Sequence, residues 1–218
     1  MEQHPELFIN VPGGIEILTD EEQMNAVEQA TMQGLAEAGL SPEQGHIGLV
    51  FEDRYCIVLR DAVAFPDGER RPYLRITAPI QGVQGVAILP RYHDKVLLLR
   101  HFRHATRLWH LEIPRGFSTP GLSNEKNARK ELKEEIEADA TRLEELGHLY
   151  PNSGMGTEYV ALYYAEVAAY GSPQKSEGIA EIVPVSVEDL EIMIRDDLLT
   201  DGYTLAAYTR ARLKGLLA

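Results

Sequence analysis

The sequence predicts an α+β fold in which mixed β-sheets lie sandwiched between helices. Three observations carry this. Strand-like patterns fill residues 46–114 almost without a break. One helical stretch follows at 123–138, after which strands return and two helices close the chain. Strands and helices do not alternate one for one, which argues against a doubly wound parallel sheet.

Taken in order, residues 1–20 look irregular, with a Pro-Gly-Gly turn at Pro12–Gly14. A helix is predicted over 20–39, where Asp20 is a capping residue, Glu21 and Glu22 suit the first turn, and Gly39 ends the pattern. The segments 47–51 and 55–65 flank a short turn at Glu52–Arg54 and read as a hairpin. A Pro-Asp-Gly turn at 66–68 leads into a strand at 73–79. The runs at 85–90 and 95–104 are the strongest strand pair, joined near His93–Asp94, and 109–114 is a further short strand. The helix at 123–138 is followed by strands at 147–151, 159–167 and 182–186. Helices close the chain at 187–196 and from Thr200 or Asp201 to about Leu217. This divides the chain into an extension with one helix (1–45), a group of N-terminal strands (46–84) and a main domain (85–218).

The balance of 44% hydrophobic and 25% charged residues is that of a globular protein. The net charge of −13 argues against a nucleic-acid polymer or an anionic membrane as partner. No apolar run reaches the length of a membrane span, and the N-terminus lacks the basic and apolar regions of a signal peptide, so a cytoplasmic location is expected. The lone Cys56 allows no internal disulfide and reads as strand packing. Against the acidic background, Arg100, Arg103, Arg107 and Arg115 form a basic segment opposed only by Glu112. It suits either a small anionic ligand or the protection of a sheet edge. Trp109 reads as core or pocket wall. His101 and His104 would point to opposite faces of one strand, which disfavours a zinc site.

The chemistry is concentrated in GFSTPGLSNEKNARKELKEEIEA, residues 116–138. Glu131, Glu134 and Glu135 stand at i, i+3 and i+4 and share one helical face. Three neighbouring carboxylates repel unless neutralised, and a hard divalent cation such as Mg²⁺ or Mn²⁺ would neutralise them. The same residues also fit a solvated helix carrying Lys130–Glu134 and Lys133–Glu137 pairs.

This segment resembles the Nudix box, G-x5-E-x7-R-E-U-x-E-E-x-G-U, with U aliphatic. Aligned from Gly116, the later acidic positions fall on Glu131, Glu134 and Glu135. The surroundings resemble the ADP-ribose pyrophosphatase subfamily: VLLLRHFRH with HLEIPRGF is similar to its "LVRQYR … ELPAG" region, and PNSGMGTEY to its "SPG.T.E" stretch. IVPVSVEDLEIMI is similar to the closing strand and helix of that subfamily, so the resemblance covers roughly 46–217. Four positions depart from the pattern: Leu122 for the first Glu, Lys130 for Arg, Glu137 for the helix-ending Gly, and Ala138 for a larger aliphatic residue. With Glu137 in place of that glycine, the helix is expected to run on toward Ala140.

The resemblance implies a Nudix fold and attack by water on a nucleoside diphosphate derivative, with ADP-ribose split to AMP and ribose 5-phosphate as the first choice. It implies metal binding by Glu131, Glu134 and Glu135, with the Arg115 carbonyl as an additional ligand and catalytic roles for Glu134 and Glu135. A base is implied on a mobile loop at about 170–181, where Glu177 is favoured over Glu181. Arg103, Glu112 and Arg115 are implied at the substrate, although Arg103 and Glu112 would also suit a mutual ion pair. A homodimer through the N-terminal strands is implied as well. The departures leave a second reading open, that of a catalytically weak nucleotide sensor.

Overall fold

The computed structural model describes residues 5–79 and 83–217; the expectation for the irregular N-terminus falls partly outside them. The chain forms two compact units, Met1–Gln81 with Asn152–Thr157, and Gly82–Pro151 with Glu158–Ala218. Among the described residues no helix is long and apolar enough to cross a membrane.

The first unit is a four-stranded antiparallel sheet with one helix. Its strands are β1 (Glu16–Ile17), β2 (Gly48–Glu52), β3 (Ile57–Ala64) and β4 (Arg70–Thr77). β3 is central, with β4 along one side and β2 and β1 along the other. Helix α1 (Glu21–Glu37) starts as expected, the Gln23 N–H donating to Asp20 Oδ1. Val27 of α1 packs with Leu18 and Ala62. Asp61 is buried in an ion pair with Arg75. The segment 152–157 runs beside β4, where Ile76 and Gly156 form a parallel bridge.

The second unit is a mixed sheet between helices. Its strands are β5 (Val83–Tyr92), β6 (Lys95–Arg103), β7 (Leu108–Glu112), β8 (Arg115–Phe117), β9 (Ala140–Leu149), β10 (Tyr159–Val167) and β11 (Ile179–Ser186). The main order is β11-β6-β5-β10-β9, with β7 beside β6 and β8 beside β5; only β5 and β10 run parallel. Val86–Leu89 and Val96–Leu99 are fully buried, which explains their unbroken apolar runs. On one face α2 (Asn124–Ile136) sets Ala128, Leu132 and Ile136 against Val86, Ile88, Leu97 and Leu99. On the other face, Leu190 of α3 (Val187–Arg195) and Ala207 and Ala211 of α4 (Gly202–Leu213) cover Ala87, Leu89 and Leu98. This is the expected α+β sandwich, an α/β/α arrangement.

The β5–β6 hairpin is hydrogen-bonded only at its closed end, through Arg91↔Val96 and Tyr92↔Lys95. Beyond that the strands part, β7 joining β6 and β8 joining β5. The short link Ile113–Pro114 between β7 and β8 crosses the gap.

Several boundaries differ from expectation. Helix α2 does not run on to Ala140. Glu137 takes a left-handed conformation (φ 53°) and caps it, and the Glu137 and Ala138 N–H groups both donate to the Leu132 carbonyl. This is the closure glycine usually makes, and a residue with a Cβ adopts it at a cost of ~1 kcal/mol or more. β9 begins at Ala140 rather than 147. Its first half is a charged sheet edge, with Arg142 paired to Glu144 and Glu166, and carries no apolar alternation. β8 lies beyond the short strand expected to end at 114. α4 ends at Leu213, not 217, where the chain turns through Gly215 (φ 72°). Trp109 is neither core nor pocket wall: it is 47% exposed, with Arg100 stacked 4.4 Å from its ring and Phe102 edge-on.

Candidate active site

The second unit holds a cavity of about 580 Å³ at the open end of the β5–β6 fork. Its lining brings together Arg103, Arg115, Glu131, Glu134, Glu135 and Glu177 from β6, β8, α2 and the turn before β11. These are six of the seven residues singled out from the sequence. The seventh, Glu112, lies beneath the lining at 1% exposure.

One wall presents two arginines, and Glu112 organises it. Arg103 is bidentate on its carboxylate, with Nε to Oε2 at 3.0 Å and Nη2 to Oε1. Arg115 Nη2 donates to Oε2 at 3.2 Å, and His101 Nδ1 lies 3.1 Å from Oε1. Burial pushes the His101 imidazole down, which favours its neutral form. One buried carboxylate thus gathers two guanidinium groups, and with Asp201 the group balances in formal charge. Asp201 adds a second brace to Arg115 at 3.4 Å. As the N-cap of α4 it also accepts from the Thr204 N–H and hydroxyl, and Thr204 Oγ1 accepts the Ile113 N–H at 3.0 Å. The Arg115 guanidinium lies 4.3 Å from the centre of the Tyr203 ring.

The facing wall is anionic. Glu135 is 1% exposed, and its Oε2 accepts the Arg115 N–H at 3.0 Å. No Lys or Arg side chain among the described residues stands at ion-pair distance from it. Burial raises its pKa from 4.5 to about 8, the carboxylates of Glu131 and Glu177 adding to the rise. Burial raises Glu131 as well. Glu131 packs on bare backbone: a Cβ built on Gly116 would lie 2.0 Å from its Oε2. Glu134 is more open, and Lys130 Nζ bonds it at 2.6 Å and Glu131 at 3.3 Å. Lys130, at the position of the pattern's arginine, therefore pairs with two carboxylates and offsets one of their two charges.

The donor set fits a hard divalent cation, because five carboxylates line one cavity and two of them are buried with too little counter-charge. Among the described residues no three groups yet stand close enough to enclose an ion. Glu181 lies on β11 opposite Arg100 and does not line the cavity, so the loop ends sooner than expected. The basic segment divides: Arg103 and Arg115 enter the cavity, while Arg100 and Arg107 stack on Trp109 and Phe102. His101, Phe117, Lys130, Glu158 and Tyr203 line the cavity unforeseen, and Asp201 braces it from behind. Lys130, His101, Phe117 and Glu158 lie in stretches of stated resemblance, whereas Tyr203 and Asp201 carried no such signal.

Glu135 also sets a pH dependence for the metal-free protein. The folded state holds its proton more tightly than the unfolded chain. Its contribution to stability is therefore full below about pH 4.5 and is lost as pH rises to about 8. One proton corresponds to at most ~1.4 kcal/mol per pH unit, or roughly 3–5 °C in Tm for a chain of this size. In chelator, the parent is expected to lose stability relative to E135Q from pH 6 to 7.5. Parallel melting curves would show that Glu135 titrates normally.

The chain is similar to known proteins in the same region. The family model described as NUDIX domain matches residues 82–207. No curated protein matches the chain. Among solved structures it is similar to an ADP compounds hydrolase, with a TM-score of 0.68 and 23% identity over 78% of this chain and 93% of that one. At that identity the structural likeness speaks for the fold alone, whereas the family model spans more than half of the sequence: the chain belongs to the NUDIX domain family and is a Nudix hydrolase.

Proposed function

We propose that this chain is a divalent-cation-dependent pyrophosphohydrolase that splits a nucleoside diphosphate derivative, with ADP-ribose converted by water to AMP and ribose 5-phosphate. The observation that carries the reading is the cavity's division into an arginine wall and a carboxylate wall. A diphosphate needs both: guanidinium groups for its non-bridging oxygens, and a cation between its charge and the glutamates. The solved ADP compounds hydrolase of like fold supports the substrate class.

Glu131, Glu134 and Glu135 would hold Mg²⁺ or Mn²⁺, the Arg115 carbonyl being a further candidate. The bound cation supplies Lewis acidity and neutralises charge developing on the phosphate oxygens. Arg103 and Arg115, fixed by Glu112 and Asp201, orient the diphosphate before reaction. Glu177 takes the proton from the attacking water; the phosphoanhydride bond breaks and the leaving phosphate keeps the bridging oxygen.

E177Q is expected to lower kcat ~100-fold, the usual scale for a general base, with KM little changed. The assay is hydrolysis of ADP-ribose and related diphosphates with Mg²⁺, with Mn²⁺ and with chelator. Turnover by E177Q within a few-fold of the parent removes Glu177 from this role. Activity that survives chelator removes the cation. Thermal stabilisation by ADP-ribose without hydrolysis establishes the sensor instead.

A homodimer is part of the proposal. In the first unit β2 bonds only to β3 among the described residues and exposes Leu49, Val50 and Phe51. Such an apolar edge is ordinarily covered, and a two-fold partner is the commonest cover. A monomeric mass by light scattering overturns this part alone.

A further inference from the structure

Glu137 stands where the resembled pattern has glycine, and its left-handed backbone points the side chain at the loop that leads to Glu177. Ser172 N–H donates to Glu137 Oε2 at 3.2 Å. Gly171 N–H donates to the Ile136 carbonyl at 2.8 Å, and Gln174 N–H to the Glu135 carbonyl at 3.1 Å. The last carbonyls of a helix have no partner within it; here the loop's amides satisfy two of them. The fit is close: a Cβ on Gly171 would lie 2.0 Å from Glu137 Oε2 and 2.8 Å from its Cβ. Gly171 has no left-handed φ, so the side chain of Glu137 is what requires a glycine there.

The loop is tied at its other end too. Phe102 N–H donates to the Gly178 carbonyl at 3.0 Å. Between these anchors lies the 3-10 turn Lys175–Glu177. The expected moving loop is therefore fastened to α2 at one end and to β6 at the other.

We infer that Glu137 is a positioning residue that clamps the 171–174 segment onto the end of α2, so that Glu177 already faces Glu131 and Glu135 when substrate arrives. This rests on the reading of Glu177 as base. It gives the departure from glycine a purpose: the strained backbone is kept because the carboxylate is used.

The test combines amide hydrogen exchange in chelator with kinetics on ADP-ribose and Mg²⁺, using E137G, E137Q, G171A, E137G/G171A and E177Q. E137G relieves the left-handed strain, so its Tm is expected to equal or exceed the parent's. Exchange at Ser172 and Gln174 is expected to quicken ~10-fold or more as the clamp opens. kcat is expected to fall ~10-fold with KM within about two-fold, as positioning is lost and binding is not. E137Q keeps an oxygen acceptor and is expected to stay close to the parent. G171A is expected to reproduce the E137G defect when alone and to add nothing in the E137G background. Parent-like exchange in E137G, or E137G and G171A defects that multiply, overturns the clamp. If E177Q proves fully active, the base assignment falls, and the exchange data still decide whether Glu137 holds the loop.

Discussion

E135Q is expected to lower turnover at least ~100-fold, the lower end for a lost key electrostatic group, while leaving the fold intact. Gln has the shape of Glu and keeps an oxygen for the Arg115 N–H, so the bond that fixes this side chain survives. What disappears is a negative charge at 1% exposure, in a cavity where a cation is proposed to bind. The same change removes a buried carboxylate that lacks a close counter-ion. Metal-free E135Q is therefore expected to be more stable than the parent at pH 8, although far less active. Less activity together with more stability is hard to obtain from a merely structural residue, whose loss lowers both. Steady-state kinetics at saturating Mg²⁺ and melting curves in chelator check the two halves. Turnover within a few-fold of the parent would take Glu135 out of the mechanism.

Gly116→Ala is expected to lower both stability and turnover. A methyl group at this position would sit 2.0 Å from Glu131 Oε2 and 2.3 Å from its Cδ, distances no side chain tolerates. Glu131 belongs to a helix whose Leu132 and Ile136 are fully buried, so α2 cannot retreat cheaply, and the carboxylate must swing away. Overpacking of this kind costs ~1–3 kcal/mol. Misplacing one group of a catalytic set costs about 10- to 100-fold in kcat/KM. The cycle with E131A separates the two: in that background G116A is expected to be almost neutral for stability, because the atoms it strikes are gone. A G116A protein that melts and turns over like the parent would show that Glu131 does not rest on this backbone.

Where one pattern decides, the structure follows the sequence. The Asp20 cap, the paired apolar runs of β5 and β6 and the glutamate spacing on α2 each have a local physical cause, and each was legible. Six of seven chosen site residues line one cavity because the Nudix-like pattern fixes their relative order along the chain. What was illegible depends on distant partners. Asp201 and Tyr203 reach Arg115 from the start of α4, which Thr204 ties to Ile113 across 91 positions. The first half of β9 is a strand because β10 offers it a ladder, and its own residues are charged. The end of α2 was misjudged because residue propensity favours continuation, whereas loop amides reward a left-handed Glu137.

Glu112 has a consequence beyond charge. Arg103 lies on the arm of the fork that carries β6, and Arg115 on the arm that carries β5 and β8. The backbone leaves these arms unbonded beyond Arg91 and Val96. A single buried carboxylate gripping both arginines is thus a rung across the open jaw, and it sets the spacing of the two guanidinium groups.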